Sequence, residues 1–303
     1  MGQIFRARAH SKVNLHLGVA QVRGDGYHEL STVFQSLDIH DDLTLELLDD
    51  PTAAPITLTV DGPYAAGVPT DSSNLVWRAV ELVARRHPPV ALHVHKGIPA
   101  AGGMAGGSAD AAAALRLANA AFAAGLSDDE LMKLAAQLGS DVPFTLMGGT
   151  ALGTGRGEEL VPMMARGSYT WAIITNREGL STPVVFDKMD ELRAKNRVGD
   201  PRLDTTAVGQ ALISGDPQQL ARTLANDLQP AALSLRPDLR KILESGENAG
   251  ALAGIVSGSG PTCAFLCEDD AQAHNVIAEV TADNPGTRGH IGHAPAPGAE
   301  LLD

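Results

Sequence analysis

Residues 98–113 hold two Gly-Gly pairs, Gly102-Gly103 and Gly106-Gly107, followed by Ser108 and an alanine-rich run. Glycine accepts positive φ and lets a ligand approach the backbone closely. Ser108 is expected to cap the helix that follows, with Asp110 in its first turn. Free N–H groups and the positive end of the helix dipole then meet at one point, which suits a phosphate. A loop that merely turns the chain is the plainer account; two Gly-Gly pairs and a capping Ser argue for the anion. The run follows neither Gly-x-x-x-x-Gly-Lys-Ser/Thr nor Gly-x-Gly-x-x-Gly, so it is neither of the two commonest nucleotide loops.

Other residues carry chemistry of their own. Lys12 lies in an extended, alternating segment and projects into a cleft or to solvent. Asp25-Gly26 signals a tight turn, and Tyr27 and His28 follow at once. An aromatic and an imidazole side by side can grip a flat, hydrogen-bonding ring; otherwise Tyr27 packs at the core edge and His28 is solvated. Asp141 follows a helix end at Gly139 and precedes an apolar stretch, so its carboxylate is expected to be partly buried, or to bond its own turn. His93 and His95 share one side of a strand, but no Cys, Asp or Glu stands near them in sequence, so no metal is expected. Cys263 and Cys267, about 13 Å apart if on one strand, are too distant for a disulfide. Two reduced thiols point to the cytoplasm.

Pro99, then Gly103-Met104-Ala105 and Gly107-Ser108-Ala109, resembles the phosphate loop of the GHMP kinases, whose pattern is close to Pro-x-x-x-Gly-Leu-Gly-Ser-Ser-Ala. Further segments extend the resemblance in order: Lys12-Val13-Asn14-Leu15, Asp25-Gly26-Tyr27-His28, Phe34-Gln35-Ser36-Leu37-Asp38, Ser140-Asp141-Val142-Pro143-Phe144, Thr182-Pro183-Val184-Val185-Phe186, and the glycine-rich residues 253–265. Together they are similar to the branch that phosphorylates 4-diphosphocytidyl-2-C-methyl-D-erythritol in the non-mevalonate isoprenoid pathway.

The resemblance implies an α+β, two-domain fold with the active site in the interdomain cleft, divided into residues 1–162 and 163–303. It implies Lys12 and Asp141 as catalytic residues. Nucleotide binding falls to Asn74, Lys96, Pro99, Gly102, Gly103, Met104, Ala105, Gly106, Gly107 and Ser108, with Asn74 and Lys96 beside the adenine. Substrate binding falls to Asn14, Tyr27, His28, Thr182 and Phe186, with Tyr27 and Phe186 on opposite faces of cytosine. ATP and Mg²⁺ are implied, the ion held mostly by ATP, water and Ser108. The departures are Met104-Ala105 for Leu-Gly and Ala109 for Ser, which removes one hydroxyl. A different GHMP kinase shares the loop but does not need the cytosine grip. A non-catalytic sensor of the same fold should lack the Lys12 and Asp141 pair.

The elements that must position these residues are legible in outline. Strands are expected over residues 4–9, 11–19, 43–48, 56–60, 90–94, 170–175 and 288–293. Asn74 caps a helix over 75–86; Ser127 and Glu130 form a capping box for one reaching Leu138. Others cover 205–214, 217–225, 237–245 and 270–283, and the Pro- and Gly-rich residues 294–298 read as disordered. Acidic residues exceed basic ones by 36 to 23, a net charge of −13 that argues against nucleic acid or an anionic membrane as partner. No run resembles a signal peptide or a membrane span. A cytoplasmic monomer or homodimer acting on a small molecule is the expectation.

Overall fold

The computed structural model of the chain describes residues 2–24, 26–99, 102–176 and 178–303. Asp25 of the expected tight turn, and Ala100 and Ala101 of the glycine stretch, lie outside them.

Two long strands, β1 (Ile4–Val22) and β2 (His28–Leu47), pair antiparallel and form the spine of the first sheet. The residues from Ala9 to Val19 are all buried, because this part of the sheet is covered on both faces. Next come β3 (Ile56–Asp61), α1 (Leu75–Val83), β4 (Val90–His95), α2 (Gly106–Ala121), α3 (Asp128–Leu138), α4 (Val142–Met147), β5 (Thr150–Thr154) and β6 (Glu159–Pro162). The second half contributes β7 (Tyr169–Thr175), α5 (Thr182–Ala194), α6 (Thr206–Ser214), α7 (Pro217–Ala221), β8 (Ala225–Asn226), α8 (Gln229–Leu235), α9 (Asp238–Asn248), β9 (Ala253–Val256), β10 (Cys263–Cys267), α10 (Asp270–Asp283), β11 (Arg288–Ala294) and β12 (Glu300–Leu302).

The first sheet runs β12-β1-β2-β4-β3, with β5 and β6 extending from β2 and β8 beside β1; the second runs β11-β7-β10-β9. This is the α+β architecture expected. Its first core packs α1, α2, α3 and α4 on the first sheet. Alanines fill most of the buried face of α2, from Ala109 through Ala118, so the helix lies close to its neighbours. Enlarging one of them would cost about 1–3 kcal/mol of overpacking. Phe144 of α4 stacks on Phe34 of β2 with ring centroids 4.9 Å apart, which ties α4, and the residue before it, to the sheet.

Three expectations need correction. The helix over 217–225 stops at Ala221, and Ala225 pairs with β1 as part of β8. The helix over 75–86 stops at Val83; Pro88 and Pro89 follow, and a proline disfavours helix in the residue before it. Residues 294–298 are ordered. Ala294, Ala296 and Ala299 are buried, Ala296 N–H donates to Ser36 O at 3.1 Å, and β12 pairs with β1. Composition alone reads Ala-Pro-Ala-Pro-Gly as unstructured, but a tertiary groove beside Gly148 supplies its partners. Cys263 and Cys267 are buried and unpaired, and burial pushes their thiols up to about 12 and about 11.

Candidate active site

The glycine loop enters α2 differently from expectation. Ala105, not Ser108, is the N-cap residue; it sits in the left-handed region at φ 57° and no side chain caps the helix. Ser108 lies within the first turn and Asp110 beyond it, buried. The left-handed entry costs an L-residue roughly 1–2 kcal/mol. It leaves the leading N–H groups of α2 for a ligand. Gly103 also has positive φ, and a Cβ there would fall 2.3 Å from the carbonyl oxygen of Ser257. Ser257 Oγ donates to Gly103 O at 2.9 Å and Thr262 Oγ1 to Gly102 O at 2.7 Å. The second glycine segment therefore clamps onto the first. Met104 buries its side chain in the core, and its carbonyl accepts from Lys12 N–H, so it offers the site only backbone. Pro99 is buried as well.

Lys96 is not a groove-lining side chain. Its ammonium lies beneath the loop, bonded to Asp41 and, at 2.6 Å, to Asp110 Oδ2. Asp41 is fully buried, and its Oδ1 accepts the N–H groups of Gly97 and Ile98 at 2.6 and 2.7 Å. Burial alone would lower the Lys96 pKa, but the two carboxylates outweigh it and raise it. Asn74 is spent on its own turn: Oδ1 accepts from Val76 N–H at 2.9 Å and Nδ2 donates to Pro69 O at 2.6 Å.

Away from α2 the two halves enclose a cleft of about 1010 Å³ that is lined by Lys12, Asn14, Tyr27, His28, Gly103, Asp141, Thr182 and Phe186. Those sequence-predicted residues are brought together; Asn74, Lys96, Pro99, Gly102 and Met104 to Ser108 are not among its walls. Lys12, nearly buried, donates from Nζ to Asn14 Oδ1 at 2.7 Å and stands 3.8 Å from Asp141 Oδ2. Asn14 Nδ2 donates to Thr32 Oγ1 at 2.8 Å, so Asn14 orients Lys12 with both ends of its amide engaged. Asp141 precedes α4 but makes no capping bond, which leaves its carboxylate to the cleft.

At the far end, His28 Nε2 bonds Asp190 Oδ1 at 3.0 Å and packs on Phe186, with ring centroids 5.1 Å apart. Tyr27 is 54% exposed, with the Arg156 guanidinium 5.4 Å from its ring centre. Thr182 Oγ1 and Ser259 Oγ lie 2.9 Å apart and join α5 to the second glycine segment. Asp190, Arg156, Thr32 and Asp41 escaped the sequence reading. Asp190 had a usable signal: it stands four residues after Phe186, on the same helix face. Arg156, alone in a glycine run, had a weaker one.

The histidine pair also differs from expectation. Asp61, brought alongside His95 by the parallel pairing of β3 and β4, bonds His95 Nδ1 at 2.6 Å and His93 Nε2 at 3.2 Å. Among the described residues, no group of three His, Cys, Asp or Glu side chains could hold a metal ion.

Comparison with known proteins bears on this arrangement. Residues 74–149 match the GHMP kinases N terminal domain and residues 210–286 the GHMP kinases C terminal domain. A protein of Nocardia farcinica (strain IFM 10152) named 4-diphosphocytidyl-2-C-methyl-D-erythritol kinase is 54% identical over 302 residues, covering 98% of this chain and 95% of its own. One of the same name from Corynebacterium diphtheriae (strain ATCC 700971 / NCTC 13129 / Biotype gravis) is 54% identical over 289 residues, covering 91% of each. A crystal structure of 4-(cytidine 5'-diphospho)-2C-methyl-D-erythritol kinase superposes with a TM-score of 0.78 at 30% identity, over 96% of this chain and 99% of that one.

Proposed function

This chain belongs to the 4-diphosphocytidyl-2-C-methyl-D-erythritol kinase family of the GHMP kinases, and we propose that it transfers the γ-phosphoryl group of ATP to the tertiary 2-hydroxyl of that cytidylyl substrate. The observation that carries this reading is the Lys12–Asp141 pair, 3.8 Å apart in the cleft between the glycine loop and the His28–Phe186 end. Phosphoryl transfer leaves the protein mainly positioning and charge stabilisation. Asp141 accepts the hydroxyl proton as oxygen attacks phosphorus. Lys12, oriented by Asn14 and shielded from water, steadies the charge that develops on the attacking oxygen and the γ-phosphate. Backbone N–H groups between Gly102 and Ser108 hold the phosphates. Tyr27, His28 and Phe186 bind the cytosine, with Thr182 beside them.

The chain's own side chains do not make a complete metal site among the described residues. Mg²⁺ would be carried mostly by the nucleotide phosphates, and half-buried Ser108 on the first turn of α2 would offer it a hydroxyl. When bound, it neutralises charge on the β- and γ-phosphate oxygens. We divide the chain into residues 1–162 and 163–303; the second sheet, β7 with β9 to β11, supports this, while β8 and β12 pair in the first. The net charge of −13 weighs against a nucleic-acid partner, and the two free thiols suit a reducing cytoplasmic compartment. No helix among the described residues is long and apolar enough to cross a membrane.

The test is Asp141→Asn, which keeps shape and removes basicity. Turnover should fall about 10² to 10⁴-fold while ATP affinity, by titration calorimetry, stays near wild type. A variant keeping more than about a tenth of wild-type turnover removes Asp141 from the role.

A further inference from the structure

A second cavity, of about 360 Å³, lies among β8, β9, α8 and the first turn of α9, and the transfer chemistry uses none of it. Its volume falls in the range of small-molecule sites. No residue lines both this cavity and the cleft. Asn226 forms the wall between them. Its Nδ2 donates to Val256 O and Gly258 O, both at 2.7 Å, and its Oδ1 accepts from Leu228 N–H at 2.9 Å. Gly258 and Leu228 line the cleft, whereas Asn226 lines the cavity. With its amide engaged at both ends, Asn226 is a fixed partition and has little left to offer a ligand.

The cavity carries one sign of charge. Arg202 and Arg240 line it, and no Asp or Glu among the described residues does, in a chain with 36 acidic and 23 basic residues. Both guanidinium groups are available. Arg240 is exposed, and its side chain has no ion-pair or hydrogen-bond partner among the described residues. Arg202 meets Asp227 only through Nε, at 3.9 Å. Asp227 Oδ2 is already engaged, accepting the N–H groups of Val19 and Arg202 at 2.9 and 3.0 Å. The Arg202 backbone is held at its other end too, since its carbonyl accepts from His16 Nε2 at 2.6 Å. Its side chain therefore starts from a fixed base. Gln229 Oε1 accepts Val256 N–H at 2.9 Å, which leaves Nε2 to donate to a ligand. Leu224, Leu233 and Ile255 supply apolar wall.

We propose that this cavity is a second ligand site, separate from the cleft, for a phosphate ester with a short apolar group. Arg202 and Arg240 take the phosphate, Gln229 adds a donor, and the hydrocarbon lies on Leu224, Leu233 and Ile255. A guanidinium fork meets oxyanion oxygens two at a time. One fork uses up both oxygens of a carboxylate, whereas a phosphate ester has three terminal oxygens to share between two forks and an amide. Size narrows the ligand further. At a water's share of about 30 Å³ for each non-hydrogen atom, the cavity has room for about twelve, enough for a phosphate on a chain of a few carbons and too few to enclose a nucleotide. The assignment stands on the cavity's own residues and does not depend on what the cleft binds.

Titration calorimetry of the whole chain with n-butyl phosphate tests the site, the cleft being filled by a non-hydrolysable ATP analogue and cytidine monophosphate. One saturable site per chain is expected. Inorganic phosphate should bind about tenfold more weakly, because burying two methylenes supports a factor of that size, and n-butanol should give no saturable heat. Arg202→Ala and Arg240→Ala should each weaken n-butyl phosphate about tenfold or more, the loss of a hydrogen bond to a charged group. Arg240→Glu, which reverses the charge at an exposed position, should abolish binding. Absence of saturable binding overturns the site, as does an affinity that neither arginine variant changes. Binding that appears only when the cleft is empty places the anion in the cleft and overturns it equally. Equal affinities for n-butyl phosphate and inorganic phosphate overturn the ester assignment.

Discussion

Asp190 makes the sharpest prediction about substrate choice. Its carboxylate accepts a hydrogen bond from His28 Nε2, and in the neutral ring Nδ1 is then an acceptor. An acceptor suits the exocyclic amino group of cytosine and opposes the carbonyl that uracil carries in its place. His28 is nearly buried and Asp190 is 39% exposed, so the bond is partly screened. A hydrogen bond to a charged group contributes about 1.5–3 kcal/mol; allowing for screening, about 1 kcal/mol is at stake. Asp190→Ala should then raise KM for the cytidylyl substrate about fivefold. KM for ATP should hold, and preference over the uridylyl analogue should shrink by a similar factor. Steady-state kinetics with both analogues decide it. A KM for the cytidylyl substrate that moves less than about twofold, or an equal rise in KM for ATP, would refute the reasoning.

Two further outcomes follow from the geometry. Tyr27→Ala and Phe186→Ala should each raise KM for the cytidylyl substrate about ten- to a hundredfold, since a stacked base is worth about 1–3 kcal/mol. Cytidine monophosphate should compete with substrate in the wild type and fail to compete in these variants. His293 joins the two halves, with Nδ1 2.8 Å from Asp38 Oδ2 of β2 and Nε2 2.9 Å from Asp270 Oδ1 of α10. Asp270 first, then Asp38, raise its pKa above 6.5 against burial. This clamp contributes fully below the unfolded pKa and is lost as pH rises through the folded one. Thermal melts from acid to alkaline pH should show a drop in wild type that His293→Gln flattens.

Much of this site could be read from residue order because its chemistry is local. A glycine loop before a helix, a Tyr-His pair after a turn, and an Asp between a helix end and an apolar run each announce themselves within a few positions. Lys12 and Asp141 lie far apart in the chain, and only the resemblance joined them. What escaped depends on tertiary register. Asp61 reaches the two histidines through strand pairing between β3 and β4, and Asp41 reaches Lys96 from a strand beside it. Ala105 displaced Ser108 from the cap because a left-handed backbone, held by the packed second glycine segment, replaced side-chain capping. The chain end misled for the same reason: its alanines bury only because Ser36 and Gly148 of the first half receive them.

The central claim is that this cleft joins ATP to one cytidylyl acceptor. Its most direct test is ADP release by the wild-type protein with 4-diphosphocytidyl-2-C-methyl-D-erythritol, mevalonate and homoserine in parallel, the product read by phosphorus NMR. The account predicts turnover with the cytidylyl compound alone and a new phosphate monoester on its tertiary 2-hydroxyl. Comparable turnover with mevalonate or homoserine, or no ADP release with any of the three, would contradict it.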